Sequence, residues 1–282
     1  MSIVIKELRH TYGRGSTFEK NALDGVNLTI EKGDFVGLIG HTGSGKSTLV
    51  QHLNALLKPA SGSVFIDGED IFSDKSKLKA LRSKVGLVFQ YPEHQLFDMT
   101  VYKDVAFGPK NAGLDEDEIR KRVESALAMV GIDPSLHEKS PFELSGGQKR
   151  RAAIAGVLAM RPEILVLDEP AAGLDPRGRD EILSNIKRMH ETLNITVILV
   201  SHSMEDIAKL VKRLVVINHG KIVLDGTPAE IFAKIEELEA IGLSTTQAAY
   251  VIRDLKAKGF DLPDDIFTVD AAVEGILAAV KQ

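Results

Sequence analysis

The sequence contains no cysteine among its 282 residues. Disulfide bonds and thiolate metal sites are therefore excluded, and the composition agrees with a reducing compartment. An excess of positive charge is also missing, because the formal net charge is −5 and the isoelectric point is about 5.9. Dedicated nucleic-acid-binding domains have isoelectric points above ~9, so we expect no nucleic acid among the partners of this protein.

Long apolar runs are absent as well. The first residues, MSIVIKELRHTYG, begin like a strand and lack the basic region and apolar stretch of a signal peptide. No run approaches the ~20 apolar residues that a membrane-spanning helix needs. If this protein serves a membrane, we expect it to act through a partner.

Short apolar segments rich in β-branched residues recur along the chain. They occupy residues 34–40, 84–90, 163–169 and 195–202. Near-continuous apolar character of this length is typical of strands buried on both faces of a parallel sheet. Helical patterns lie between them, at 46–57, 115–130, 147–160, 177–192 and 203–211. The alternation predicts an α/β fold with a mainly parallel core sheet.

Other regions depart from this alternation. The first 30 residues and residues 214–226 indicate antiparallel strands, the latter a hairpin that turns at His219-Gly220. Residues from about 91 to 160 predict a helical subdomain inserted into the α/β core. After residue 232 the pattern changes to short helices, with a break at Pro263. We therefore predict a main domain at 1–232 and a helical extension at 233–282.

A phosphate-binding loop follows the first buried strand. Its spacing is Gly40-x-x-x-x-Gly45-Lys46-Ser47, and it lies between a predicted strand and a predicted helix. Glycines allow several N–H groups to point at a phosphate, and the helix N-terminus adds positive potential. Lys46 supplies a charge for the β- and γ-phosphates, and the Ser47 hydroxyl can bind Mg²⁺. A glycine-rich turn without this role is the alternative, which the spacing and context disfavour.

Two carboxylates end the third buried strand. Asp168 and Glu169 follow four apolar residues, at the strand end where open α/β sheets bind ligands. Asp168 can hold Mg²⁺, and Glu169 can orient or deprotonate a water molecule. A solvated turn or a helix cap is the alternative, but a phosphate loop in the same chain favours the catalytic interpretation.

A second glycine turn, Leu144-Ser145-Gly146-Gly147-Gln148, opens another predicted helix. N–H groups at a helix N-terminus and the helix dipole make this turn a second candidate anion site.

Together these motifs resemble the ATP-binding cassette (ABC) ATPases, over roughly residues 3–230. Residues 144–148 match the family signature, and residues 165–170 match its magnesium and carboxylate strand. Four further matches appear in family order: Tyr12 as the adenine-stacking aromatic, Gln90 as the γ-phosphate-sensing glutamine, residues 172–175 as the loop that crosses to a partner, and His202 as the switch histidine.

The resemblance implies the P-loop ABC-ATPase fold, with an N-terminal antiparallel β subdomain, and implies ATP and Mg²⁺ as ligands. The implied catalytic residues are Glu169, His202 and Gln90, and the implied metal ligands are Ser47, Gln90 and Asp168. The implied nucleotide contacts are Tyr12, Gly40, His41, Thr42, Gly43, Ser44, Gly45, Lys46, Ser47, Thr48, Leu144, Ser145, Gly146, Gly147, Gln148 and Asp175. Two such subunits would pack head to tail, so that each signature turn closes on the γ-phosphate held by the other subunit.

Within this family, residues 85–111 and the tail at 259–273 resemble the ATPases of energy-coupling factor transporters, especially the second of their two ATPase subunits. The segment Tyr91-Pro92-Glu93-His94 departs from the commoner asparagine-proline-acidic pattern. The resemblance implies uptake of vitamins or transition-metal ions at the cytoplasmic face of the cell membrane. The implied partners are a second ATPase subunit, homologous or identical, a transmembrane coupling protein and a substrate-binding membrane protein. Residues 233–282 would then support pairing of the ATPases, with an inert helical cap as the alternative.

Two other classes remain open. An ordinary ABC importer ATPase would carry the same phosphate chemistry, and only the segment after Gln90 and the tail argue against it. A soluble ABC protein of ribosomes or DNA would need a second cassette or a long coiled coil, which this sequence lacks. The basic run Lys149-Arg150-Arg151 is predicted to be a solvated helix face rather than a nucleic-acid patch.

Overall fold

The computed structural model describes residues 2–280, apart from the side chain of Lys75. The strands are β1 (Ile3–Tyr12), β2 (Lys20–Ile30), β3 (Phe35–Ile39), β4 (Ser61–Ile66), β5 (Glu69–Asp70), β6 (Val85–Val88), β7 (Ile164–Asp168), β8 (Thr196–Val200), β9 (Arg213–Asn218) and β10 (Lys221–Gly226). The helices are α1 (Lys46–Leu53), α2 (Leu78–Lys84), α3 (Val101–Asn111), α4 (Glu116–Met129), α5 (Gly146–Leu158), α6 (Pro176–Leu193), α7 (Met204–Leu210), α8 (Pro228–Phe232), α9 (Ile235–Ala240), α10 (Gln247–Ala257) and α11 (Val269–Val280).

The central sheet has six strands in the order β10-β9-β3-β8-β7-β6. All neighbours from β9 to β6 are parallel, and only β10 is antiparallel, in the predicted hairpin with β9. Every residue of β3, β6, β7 and β8 is buried, which explains their unbroken apolar runs. Because the strands are parallel, the segments that follow β3, β7 and β8 meet at one edge of the sheet.

A second, antiparallel sheet has the order β2-β1-β4-β5. Its apolar side chains form one core with α1 and one face of the central sheet, including Ile3, Leu23, Leu49 and Val166. The predicted α/β fold with an N-terminal antiparallel subdomain is therefore confirmed. The helix predicted at 46–57 ends earlier, at Leu53.

The helical region between β6 and β7 contains α3, α4 and α5. The α3 helix has no counterpart among the predicted helices, because Gly108 and Pro109 are poor helix formers. Thr100 caps its N-terminus by accepting a hydrogen bond from Lys103 N. Val101, Val105 and Pro109 then recur on one buried face at a spacing of four residues. Tertiary packing therefore outweighs the weak local preference.

The tail contains α8 to α11, and its first part is continuous with the main core. Phe232, Leu238 and Leu243 belong to the same buried cluster as the central sheet. The Phe267 ring returns to within 5.7 Å of the Phe232 ring, measured between centroids. The domain boundary predicted at residue 232 therefore passes through a region in which side chains from both sides pack together. No helix within residues 2–280 combines the length and apolar character needed to cross a membrane.

Candidate functional site

The phosphate loop joins β3 to α1, and its path requires glycine at two positions. A Cβ on Gly40 would lie 2.3 Å from Ile217 O, and a Cβ on Gly45 would lie 2.5 Å from Ala22 O. Gly45 also has a φ of 114°, in the left-handed region. These glycines let the loop press against β9 and β2 and set the N-terminus of α1, with its partial positive charge, at the base of the loop.

Lys46 is the first residue of α1, and its side chain is buried inside the loop. Its Nζ donates hydrogen bonds to Gly40 O at 2.7 Å and to His41 O at 3.1 Å. Burial lowers the pKa of Lys46, while the negative charges of Glu169 and Asp168 act in the opposite direction. The ammonium group thus faces two carboxylates across the loop.

Those carboxylates lie at the end of β7, where Asp168 is buried and Glu169 is partly buried. Burial raises the pKa of Asp168, against the hydrogen bond from Ser47 and the charges of Lys46 and His202. Burial, with repulsion from Asp168, raises the pKa of Glu169 to about 7. Glu169 also has a left-handed backbone, with a φ of 53°, a conformation that costs about 1–3 kcal/mol in a non-glycine residue. Its N–H donates to Val200 O at 3.0 Å, which helps to hold that position.

His202 follows β8, the strand beside β7. Its Nε2 lies 3.4 Å from Glu169 Oε1, and its side chain is 51% exposed. Burial, and then the charge of Lys46, lower the pKa of His202. The imidazole is therefore neutral at pH 7, and the contact with Glu169 is not an ion pair.

Two cavities adjoin these residues. One of 410 Å³ is lined by Glu169, His202 and residues 170–174, among others. A smaller one of 150 Å³ adjoins the phosphate loop and is lined by Tyr12, Lys20, Ala22, Gly43, Gly45, Lys46, Ser47 and Thr48. None of the residues 144–148 lines either cavity.

Tyr12 stands at the rim of the smaller cavity. Its hydroxyl lies 3.2 Å from Thr48 Oγ1, and its ring meets the edge of the His10 ring at a centroid distance of 4.6 Å. The Tyr12 side chain is still 42% exposed. Held by these two contacts, the ring offers a fixed aromatic surface beside the phosphate loop.

The turn at 144–148 is a capping box at the start of α5. Ser145 Oγ accepts a hydrogen bond from Gln148 N at 3.3 Å, and Gln148 Oε1 accepts one from Ser145 N at 2.9 Å. A Cβ on Gly146 or Gly147 would meet nothing within 4 Å inside residues 2–280. Nothing in the described fold therefore requires glycine at these two positions, whereas close approach of another molecule would.

The residues present fit a divalent cation near Ser47. The Ser47 side chain lies close enough to the Asp168 carboxylate to lower its pKa, so two hard oxygen ligands already lie together. The carboxylates of Asp168 and Glu169 share a single lysine, Lys46, which leaves the site short of positive charge. No group of three or more His, Asp or Glu side chains within the described residues could hold a metal. Such a cation would therefore need oxygens from a bound phosphate or from water, as Mg²⁺ does in nucleotide sites.

Comparison with known proteins identifies the family of this chain. The family model described as "ABC transporter" matches residues 23–172. The energy-coupling factor transporter ATP-binding protein EcfA2 of Clostridium tetani is 57% identical over 278 residues, covering 98% of this chain and 96% of that protein. EcfA2 of Clostridioides difficile is 55% identical over 283 residues, covering 100% of this chain and 98% of that protein.

This chain belongs to the ABC transporter family, among the ATP-binding proteins of energy-coupling factor transporters.

Solved structures agree with this family. CbiO1 from Clostridium perfringens, described as part of the ABC transporter complex CbiONQ, has a TM-score of 0.75 and 42% identity, covering 85% of this chain and 93% of that chain. A dimeric, post-hydrolysis form of the ATP-binding cassette MJ0796 with ADP and Pi has a TM-score of 0.72 and 30% identity, covering 80% of this chain and 98% of that chain. The chain is thus an ABC ATPase subunit, and the predicted fold and family are confirmed.

The fold brings only part of the predicted ABC site together. Lys46, Ser47, Asp168, Glu169 and His202 form one group through the contacts described above. Three other predicted residues have different surroundings in the described fold. Gln90 is exposed two residues after β6, Asp175 Oδ1 caps α6 by accepting from Gly178 N at 2.7 Å, and the Leu144 side chain is buried in the core.

Some features of the site are not predicted by the motifs. Lys20 and Ala22 line the smaller cavity, and they reach it only through the pairing of β2 with β1. The solvated helix face predicted at 149–151 is wrong for two of its three residues. Arg150 is 1% exposed and Arg151 is 8% exposed, because each is paired with a carboxylate, Glu93 and Glu181 respectively.

Proposed function

We propose that this chain powers an energy-coupling factor transporter by hydrolysing ATP at a site completed by a second ATPase subunit. The observation that carries the proposal is the turn at 144–148, a capped helix N-terminus that lines neither cavity of its own chain. Its two open glycines suit contact with a phosphate that another subunit presents.

ATP binds with its phosphates over residues 40–48 and its adenine on Tyr12. Lys46 Nζ exchanges its bonds to Gly40 O and His41 O for bonds to the β- and γ-phosphates, which are stronger acceptors because they carry charge. The Tyr12 ring stacks on the base, and Lys20 lies close enough to line the same cavity.

Ser47 and Asp168 would hold Mg²⁺, with Gln90, which follows β6, as a third ligand. When bound, Mg²⁺ neutralises charge on the phosphate oxygens. The Ser47 hydroxyl lies close enough to the Asp168 carboxylate to lower its pKa, so the two oxygen groups can act together on one cation.

Glu169 acts as the general base. Its pKa of about 7 lies near the working pH, where a general base is most effective. Its carboxylate takes a proton from the attacking water, and neutral His202, 3.4 Å away, donates a hydrogen bond to the γ-phosphate. Phosphoryl transfer depends mainly on this positioning and on charge neutralisation.

The partners follow from the same family. A second ATPase subunit pairs with this chain head to tail, so that Ser145, Gly146 and Gly147 contact the nucleotide of the partner, with Asp175 on the loop between the two. A transmembrane coupling protein docks near Gln90 and the helical subdomain, and a substrate-binding membrane protein completes the assembly. This chain would then lie at the cytoplasmic face of the membrane and drive uptake of a vitamin or a transition-metal ion.

The test measures ATP hydrolysis against protein concentration, for this chain alone and for the transporter purified from membranes. An interfacial site predicts that the rate per chain falls on dilution of the isolated chain and stays constant for the assembled transporter. Lys46→Ala is the control for background hydrolysis. A dilute, isolated chain that works at the rate of the assembly would contradict the proposal.

A further inference from the structure

Arg150 is a buried cation that no part of the proposed mechanism uses. It lies one turn into α5, five residues after Ser145, and is 1% exposed. A guanidinium group cannot lose its charge in a protein, so its burial requires partners that compensate for the lost hydration. The positions of those partners identify what Arg150 does.

The first partner is Glu93, in the short 3₁₀ turn that follows Gln90. Arg150 Nε and Nη2 donate to the two carboxylate oxygens of Glu93, at 2.9 and 2.6 Å. This paired geometry fixes orientation as well as distance. Burial raises the pKa of Glu93, but the hydrogen bonds and charge of Arg150 outweigh it and leave that pKa below its ordinary value. Glu93 is therefore ionised at neutral pH.

The second partner is the loop that follows Glu169. Arg150 Nη1 donates to Pro170 O at 3.2 Å and to Ala172 O at 2.5 Å. Both carbonyl groups lie within three residues of the proposed general base. The guanidinium group of Arg150 thus contacts the loop that follows Glu169. Its backbone lies in α5, the helix that begins at the signature turn and is called the signature helix below.

Tyr91 also packs its ring against the Arg150 guanidinium group. Its ring centroid lies 5.7 Å from Arg150 Cζ, and its backbone is left-handed, with a φ of 57°. A Cβ on Gly173 would lie 3.5 Å from the Tyr91 ring, so the ring also packs beside the loop after Glu169. The segment after Gln90 and the loop after Glu169 are therefore packed together around one guanidinium group.

We infer that Arg150 is a positioning residue that locks three segments into one rigid unit: the signature helix, the segment after Gln90 and the loop after Glu169. In the proposed pair, Gln90 and Glu169 serve the nucleotide of their own chain, whereas Ser145 serves the nucleotide of the partner. Arg150 therefore links the two ATP sites through this chain. The inference rests on the proposed function, because it requires the two sites to be shared between subunits.

The experiment uses the assembled transporter with one ATP site silenced at a time. In the first assembly, the partner's catalytic carboxylate is replaced by an amide, so only the phosphate loop of this chain works. In the second assembly, Glu169→Gln prevents hydrolysis of the nucleotide bound to this chain. Only the nucleotide bound to the partner is then hydrolysed, and that nucleotide contacts the signature turn of this chain. Arg150→Lys is then introduced into both assemblies, because lysine keeps the charge but cannot reach Glu93 and two carbonyl groups together.

We expect kcat to fall about 10- to 100-fold in both assemblies, the scale of a displacement of ~1 Å at a catalytic site. The KM for ATP should change less than about threefold, since Arg150 touches no nucleotide-binding residue of its own loop. Glu93→Gln should give a smaller fall in both assemblies, and it stands in for Arg150→Lys if the lysine variant folds poorly. Arg122→Lys is the matched control, because Arg122 pairs with Glu118 on α4 and reaches neither site.

A fall in the second assembly alone would overturn the inference, because Arg150 would then only support its own helix. Equal rates with and without the substitution would also overturn it. The proposed function would survive both of those results. It would fail instead if the isolated chain worked at the full rate, or if neither single-site assembly depended on the partner.

Discussion

The Glu169 carboxylate lies 3.4 Å from His202 Nε2, and among residues 2–280 its Oε1 accepts no hydrogen bond. A buried acceptor without a donor is costly inside a protein. Glu169 and His202 therefore have unused hydrogen-bonding capacity. They lie just after the ends of β7 and β8, beside the 410 Å³ cavity. A water molecule, which can donate a hydrogen bond to Glu169 Oε1, fits this position.

Replacement of Glu169 by glutamine should separate binding from hydrolysis. The amide keeps the size of the side chain but cannot take a proton from water. We expect hydrolysis in the assembled transporter to slow by ~10²–10⁴, while the Kd for ATP stays within a few-fold. Single-turnover hydrolysis and equilibrium binding of ATP measure the two effects. Full hydrolysis by Glu169→Gln would exclude its role as the base.

The raised pKa of Glu169 also predicts a dependence of stability on pH without nucleotide. Between about pH 4.5 and pH 7 the folded chain binds more protons at this group than the unfolded chain, so the free energy of unfolding falls as pH rises through that window. Glu169→Gln removes the ionisable group and should raise the free energy of unfolding by about 1–3 kcal/mol at pH 8. The gain should vanish near pH 4.5. Urea unfolding at both pH values tests this, and an equal gain at both would refute it.

Gly146→Ala should impair activity without weakening the fold. A Cβ at this position meets no atom within 4 Å among the described residues, so the free energy of unfolding should change by less than about 0.5 kcal/mol. In the pair, the added methyl group would meet the phosphate, and we expect hydrolysis to fall about 10- to 100-fold. Gly156→Ala, in the same helix and with equal space, is the matched control and should keep activity. Similar activity in both variants would count against contact at the signature turn.

Tyr12 should contribute to ATP affinity through its ring rather than its hydroxyl group. Tyr12→Ala removes the exposed aromatic surface and should weaken ATP binding by ~1–3 kcal/mol, the usual contribution of a base stacked on an aromatic ring. Tyr12→Phe loses only the contact with Thr48 Oγ1 and should bind within about threefold of the original affinity. Isothermal titration measures both. Equal affinities for the alanine and phenylalanine variants would show that the base lies elsewhere.

The parts of this fold that the sequence predicts share one property: each is encoded within a few consecutive residues. Buried strands are visible as unbroken apolar runs, and the loop at 40–48 is defined by its own spacing. Because parallel strands bring their carboxyl ends to one edge, the meeting of Asp168 with Lys46 and Ser47 also follows.

The parts that the sequence does not predict depend on distant partners. Glu93 and Arg150 are separated by 57 residues, so the basic run at 149–151 carries no local sign that two of its side chains are buried. Lys20 reaches the phosphate loop through strand register, and α3 forms around Pro109 because its other residues pack well. The signature turn, in contrast, is predicted by its motif, although a Cβ on either of its two glycines would meet no other part of the described fold within 4 Å.

The exposed face of α11 provides a test of the extension. Val269, Val273, Leu277 and Val280 are each more than half exposed, and their spacing places them along one side of the helix. Deletion of residues 233–282 would also remove Leu238 and Leu243 from the main core, so the loss of pairing and the loss of folding would be confounded. Substitutions on α11 avoid this problem.

The double variant Val273→Ser with Leu277→Ser should therefore leave the thermal unfolding midpoint unchanged and weaken association with the second ATPase subunit. Burial of two such side chains contributes about 1.5–3 kcal/mol each when complete, so a tenfold or greater rise in the Kd of pairing is expected for partial burial. Glu274→Ser with Ala278→Ser, on neighbouring exposed positions of the same helix, is the control. Sedimentation of each variant with its partner measures the Kd, and an unchanged value for the apolar double variant would show that α11 does not support pairing.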